Sequence, residues 1–222
     1  MKKTLLKLLN RTSLVLLALL STTAFASSGG GDACDPNAKP IVFVHGWNGG
    51  NFNWLHTMDR LEADGHPACS LYGFEWSTLF DNNASAARKL ADFVADVRAD
   101  HNNQAVTIIS HSNGGLITRQ FRVFENGYEA NDRFVSLAAP HNGTTWAYAC
   151  FNPSCADMRP GSNHINALAG QGCDRSIWSA LDGVILPASS AICGQSTQTS
   201  SVDHLTMLWW SAVYPDIRDN LN

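Results

Sequence analysis

The stretch Thr107-Ile108-Ile109-Ser110-His111-Ser112-Asn113-Gly114-Gly115 constrains the fold of this chain more than any other. An apolar, β-branched run stops abruptly at a serine-rich tripeptide, and two glycines and a helical pattern follow. That is the outline of a nucleophile elbow, the G-x-S-x-G turn in which a buried strand bends sharply into a helix. The serine takes a strained backbone conformation there, and small residues two positions either side let strand and helix approach closely. The helix N-terminus then points at Ser112, leaving the backbone N–H of Asn113 free to stabilise a developing oxyanion. Ser110 stands where the motif has its first glycine.

The segments around the elbow alternate between two periods. Pro40-Ile41-Val42-Phe43-Val44 is a continuous apolar run ending at His45-Gly46, as expected of a strand buried on both faces of a parallel sheet. Asn51 to Ala63 reads as a helix and Cys69 to Trp76 as a second strand. Ala86, Leu90, Phe93, Val94 and Val97 recur at helical spacing, which predicts an amphipathic helix from Ala84 to Asp100. The elbow strand runs from Ala105 to Ser110; Leu116, Ile117, Phe121 and Phe124 mark the helix leaving it, and Phe134 to Ala139 reads as a further strand. This alternation argues for right-handed βαβ units in an α/β fold, a mostly parallel sheet flanked by helices on both faces. Ligand sites of such sheets lie at the carboxyl ends of the strands, so His45-Gly46 and Ser112 are expected at one edge. From Trp146 to Asp174 the pattern dissolves into Gly, Pro, Asn and Cys, a long loop that either covers part of the site or is a passive surface excursion.

The N-terminus carries Lys2, Lys3, Lys7 and Arg11, then the apolar run Leu14 to Leu20, then Ala24-Phe25-Ala26 before a Ser/Gly-rich stretch. This reads as a secretory signal peptide over residues 1–26, cut after Ala26, with an apolar run too short for the roughly 20 residues of a membrane span. Residues 27–222 then form one domain, led by a flexible Ser27 to Asp32, and the protein is expected to be secreted or periplasmic. Removing four positive charges from a chain of net charge −4 leaves −8, a charge that disfavours nucleic acid and anionic lipid surfaces. Six cysteines in an oxidising compartment favour disulfides, and chain order suggests Cys34–Cys69, Cys150–Cys155 and Cys173–Cys193 among the 15 possible connectivities. No pair has the C-x-x-C spacing of a metal site.

A serine nucleophile needs a base, and the base an orienting carboxylate, in the chain order Ser, Asp or Glu, His. Besides His141, the later histidines are His164 and His204. His204 opens the final helical pattern, His204 to Trp210, directly after a loop, where a base on the last strand-to-helix connection belongs; His164 reads as a surface residue. Asp182 lies in an otherwise apolar segment, Ser179 to Pro187, where a carboxylate is costly to bury without a partner such as an imidazole N–H. Asp174 competes with it, and Asp203 is better placed to cap the last helix.

Five ordered blocks carry a resemblance. They are Val42-Phe43-Val44-His45-Gly46-Trp47, the elbow at 110–115, Ala139-Pro140-His141-Asn142-Gly143-Thr144, Leu181 to Pro187, and His204 with the segment after it. Over most of the exported part the sequence resembles the small secreted bacterial triacylglycerol lipases, the class 2 lipase family of the α/β-hydrolase superfamily. The resemblance implies an α/β-hydrolase fold with a minimal or small lid, Ser112 as nucleophile, His204 as base and Asp182 as its partner. It implies an oxyanion hole from the backbone N–H groups of Trp47 and Asn113, and no metal or organic cofactor. His45, His111 and His141 are expected to be scaffold. The expected protein is a monomeric esterase or lipase acting on acylglycerols or short-to-medium acyl esters. A polyester, a phospholipid or an acyl acceptor other than water is a second reading of the same triad, and an inactive secreted binding protein a third. Two departures from the family pattern are Ser110 and the polar run Gln195 to Ser201, where an apolar last strand is usual. Trp47, Trp146, Trp209 and Trp210 are expected near an apolar acyl pocket, with Trp209 or Trp210 packed in the core.

Overall fold

The computed structural model describes residues 35–221; the signal-peptide reading, the leader after it and Cys34 lie outside them. Six strands form one sheet: β1 (Ile41–Val44), β2 (Leu71–Phe74), β3 (Val106–His111), β4 (Asn131–Leu137), β5 (Arg175–Trp178) and β6 (Gln195–Gln198). Their order is β2-β1-β3-β4-β5-β6, with every pair parallel. The helices are α1 (Leu55–Ala63), α2 (Asn83–Asp100), α3 (Asn113–Phe124), α4 (Gly127–Ala130), α5 (Pro153–Met158), α6 (Asn163–Ala167) and α7 (Tyr214–Asp219).

The continuous apolar runs of the central strands are sorted by the pleat onto two faces. Ile41, Phe43, Ile109, Val135 and Leu137 pack in one core with Leu61 of α1, with Ile217 of α7, and with Met207 and Leu208 from the segment before it. Val42, Val44, Val106, Ile108 and Phe134 pack in the other with Leu90, Val94 and Val97 of α2 and Ile117 and Phe121 of α3. A strand so enclosed cannot shift register without driving polar backbone and side chains into both cores. The elbow at the end of β3 therefore rests on a strand packed between two cores.

Three expectations are corrected. The stretch from Trp146 to Asp174 contains α5 and α6, and Ala147, Cys155, Met158, Ile165 and Leu168 form a core of their own on Leu116 of α3. The final helix is not His204 to Trp210 but α7; His204 lies in a turn, followed by a 3₁₀ turn at Thr206–Leu208. Asp203 does cap, as its carboxylate accepts from the N–H groups of Leu205 (3.0 Å) and Thr206 (3.1 Å), but it caps this turn. The polar run after Gln195 contains β6, a sheet edge whose side chains are mostly exposed, so polar residues satisfy a strand with only one neighbour. Cys150–Cys155 and Cys173–Cys193 are disulfides with Cα separations of 5.8 and 5.6 Å. Cys69 is disulfide-bonded, and its expected partner, Cys34, lies outside the described residues. Among the described residues no helix is long and apolar enough to cross a membrane.

Candidate active site

The strand-to-helix turn places Ser112 at φ 52°, ψ −129°, a backbone conformation that L side chains rarely adopt. The enclosing structure holds it there. The N–H of Ser112 donates to the Leu137 carbonyl of β4 at 2.9 Å, and α3 begins at the next residue. The close approach demands glycine at Gly114, where a Cβ would meet the Val44 carbonyl oxygen at 2.4 Å. At Gly46 a Cβ would meet that of Ser112 at 2.7 Å, so the loop leaving β1 lies directly against the serine. Ser110 fills the first glycine's position within the buried strand, where its hydroxyl makes no hydrogen bond.

Asp182 follows β5 and His204 follows β6, so all three residues singled out in the sequence leave carboxyl ends of strands. The structure brings the latter two into contact: Nδ1 of His204 lies 2.8 Å from Oδ2 of Asp182. The other carboxylate oxygen accepts from the N–H groups of Val184 (2.8 Å) and Ile185 (2.9 Å). Three hydrogen bonds offset the desolvation of this buried anion and hold its plane. Because a carboxylate only accepts, the Nδ1 proton stays on His204 and Nε2 is left as the basic nitrogen. Asp174 is committed elsewhere, accepting from the N–H of Phe134 (2.9 Å) and lying 3.7 Å from Arg133.

Ser112 and His204 line one cleft of about 360 Å³, together with Trp47, His111, Trp146, Met158, Val184, Leu208 and Trp209. The walls are mostly apolar, as is usual of a small-molecule site. The N–H groups of Trp47 and Asn113 have no protein acceptor among the described residues. That of Asn113 is one of the unsatisfied donors of the first turn of α3. Trp146 and Met158 show that the segment after residue 145 walls the cleft. Trp209 and Trp210 remain 48% and 52% exposed, so neither packs in the core as expected.

Two further histidines, His111 and His141, lie in the interior. Burial, reinforced by the nearby His204, keeps His111 well below the ordinary histidine pKa; burial, with Arg119 adding to it, does the same for His141. His141 lies 2.8 Å from the Ser136 hydroxyl, and His45 stacks on Trp76, in keeping with scaffold roles. His164 is half-buried rather than a surface residue, and its Nε2 is enclosed without a hydrogen-bond partner.

Sequence reasoning missed two polar residues beneath the site. Arg119 of α3 is buried and donates to the carbonyls of His141 (2.9 Å), Gln171 (2.7 Å and 2.9 Å) and Leu168, stapling the cleft-wall segment to the elbow helix. Burial lowers its pKa to about 10, so the guanidinium stays charged at neutral pH. Asn83, the first residue of α2, exchanges amide hydrogen bonds of 3.1 and 2.8 Å with the side chain of Asn113. An arginine on the apolar flank of a helix was the available signal for the first; Asn83 left none, because its partner is thirty residues away.

The chain has relatives in sequence and in fold. The sequence profile described as Lipase (class 2) matches residues 38–211. The dihydrolipoyllysine-residue acetyltransferase component of the acetoin cleaving system of Cupriavidus necator is 31% identical over 116 residues, which are 51% of this chain and 28% of that protein. The chain thus spans little more than a quarter of that relative's length. The mature form of the lipase BlEst2 of Bacillus licheniformis superposes with a TM-score of 0.72 at 15% identity, over 87% of this chain and 96% of that one. Lipase B of Aspergillus fumigatus does so with a TM-score of 0.65 at 17% identity, over 79% and 51%. At such identities the solved structures speak for the α/β-hydrolase fold alone. With the family profile spanning β1 to the segment beyond His204, the chain belongs to the class 2 lipase family, a family of ester hydrolases.

Proposed function

We propose that the protein is a secreted serine hydrolase that cleaves carboxylic esters, acylglycerols or short-to-medium acyl esters, through Ser112, His204 and Asp182. The observation that carries this reading is the 2.8 Å bond from His204 to a buried Asp182, in the cleft that Ser112 enters from a strained strand-to-helix turn. In the reaction, Nε2 of His204 takes the Ser112 hydroxyl proton as Oγ attacks the ester carbonyl carbon. The carbonyl oxygen becomes an oxyanion held by the N–H groups of Trp47 and Asn113. Collapse of this intermediate expels the alcohol, which leaves with the proton from His204. Water, deprotonated by the same nitrogen, then cleaves the acyl-enzyme and returns the proton to Ser112. Asp182 stays ionised throughout, orienting the ring and stabilising the imidazolium. The chemistry needs no cofactor.

The apolar walls contributed by Trp47, Trp146, Met158, Val184 and Leu208 suit an acyl chain. Export rests on residues 1–26 and on the disulfides, which persist in oxidising compartments. The test is hydrolysis of p-nitrophenyl esters of increasing acyl length by folded wild type and Ser112→Ala. The wild type is expected to turn over short and medium chains and the variant to lose at least about 10³ in kcat; a variant at the wild-type rate removes the proposal.

A further inference from the structure

His204 is carried by a turn between the short edge strand β6 and a 3₁₀ turn, so no long element holds the base in place. Its ring is anchored by Asp182. The residues beside it are clamped separately: the Ser179 hydroxyl donates to the Val202 carbonyl (2.7 Å) and accepts its N–H (3.1 Å), and Asp203 caps the turn. His204 has one further contact on its own backbone. Nε2 of His111 lies 3.0 Å from the His204 carbonyl oxygen, and the two rings stand 4.5 Å apart between centroids, tilted by 45°. His111 is the last residue of β3 and the immediate neighbour of Ser112. This bond therefore ties the strand that carries the nucleophile to the turn that carries the base.

Resting on the proposed esterase reading, we infer that His111 is a positioning residue that sets the distance between Ser112 and His204. A carbonyl only accepts, so the His111 proton sits on Nε2 and the ring is locked in one tautomer. His111 has almost no exposed surface, and burial keeps it neutral, so the imidazolium that forms on His204 during catalysis meets a dipole and not a second cation. Its donor is built into a strand whose six residues are all buried, so a fixed part of the core holds a turn that no long element holds.

The test compares His111→Phe, which keeps an aromatic ring and loses the donor, with His111→Gln, whose amide N–H stands near the place of Nε2. On p-nitrophenyl butyrate, His111→Phe is expected to lose at least about tenfold in kcat with KM within about twofold, because small misplacements of reacting groups cost rate and not ground-state binding. His111→Gln is expected to recover most of that loss. Wild-type kcat in His111→Phe, a change confined to KM, or a loss that glutamine does not relieve each overturns the inference, the last by assigning the effect to packing. The wild-type protein decides the matter even if His111→Phe does not fold: ¹⁵N NMR of the imidazole should find the His111 proton on Nε2, and a proton on Nδ1 alone refutes the bond. Ser112→Ala separates the two levels. If it stays active the esterase reading itself falls; if it is inactive while the His111 variants match wild type, only the positioning role falls.

Discussion

Replacing Gly114 by alanine probes the link between packing and chemistry with a single methyl group. The added Cβ would lie 2.4 Å from the carbonyl oxygen of Val44, 2.7 Å from that of His45 and 3.0 Å from the Val44 carbonyl carbon. All three atoms are backbone, so no side chain can rotate away. Ordinary contact begins near 3.4 Å, which requires α3 and β1 to separate by about 1 Å locally, a displacement of the size that costs roughly 10² in rate when it moves reacting groups. Ser112 and Asn113 are the two residues before Gly114, so the displacement falls on the proposed nucleophile and on one proposed oxyanion donor. Overpacking of this kind also costs about 1–3 kcal/mol in stability. The assay is kcat/KM on p-nitrophenyl butyrate, with urea unfolding on the same preparation. Activity is expected to drop by about two orders of magnitude, well beyond what the stability loss explains while the protein stays folded. Activity within about threefold of wild type, with an unchanged unfolding midpoint, would refute the argument that this close approach sets the geometry of the elbow.

Asp182→Asn keeps the shape of the acid but lets it donate to Nδ1, favouring the wrong imidazole tautomer; kcat should fall by about 10⁴, and a loss under about threefold would free Asp182 of its role. Arg119→Met removes the guanidinium that serves the carbonyls of His141, Leu168 and Gln171, so urea unfolding should show a loss of about 3–5 kcal/mol. A loss under about 1 kcal/mol would contradict the staple. Acidification should destabilise the fold through His111 and His141, whose pKa values are depressed in the folded state by burial. The unfolded chain takes up these protons below about pH 6.5 and the folded one does not. Stability is therefore full above that pH and falls by up to about 1.4 kcal/mol per pH unit for each histidine below it, until the folded pKa is reached. Unfolding free energies that are equal at pH 7 and pH 5.5 would contradict the assignment of both rings as buried and neutral.

What could be read in the sequence was what is local. The elbow is one strand, one turn and one helix start within nine residues, and the steric demand at Gly114 is met by neighbours that any such turn must have. The strand β1 is buried throughout and announces itself as an unbroken apolar run, and the buried parts of β3 and β4 carry the shorter apolar runs Ile108-Ile109 and Phe134-Val135. Asp182 was legible because a lone carboxylate among Leu, Val and Ile implies a partner. Less legible were elements whose reason is tertiary. In β5 the residues Arg175-Ser176-Ile177-Trp178 carry only a weak pattern, and their strand character comes from pairing with β4 and β6. The periodicity of His204 to Trp210 suggested a helix because Leu205, Leu208 and Trp209 fall at helical spacing; they are spaced instead to line the cleft from a tight turn. Arg119 and the Asn83–Asn113 pair depend on partners far away in sequence, which composition and periodicity do not register.

The central claim, that Ser112 is the nucleophile, is tested most directly by mapping a covalent inhibitor. Incubation of the folded protein with a fluorophosphonate should add one phosphonyl group per chain, and peptide mass analysis should place it on Ser112 alone. Ester hydrolysis should disappear in step with the labelling, and Ser112→Ala should take no label. Modification of another residue, or hydrolysis that survives complete labelling of Ser112, would contradict it.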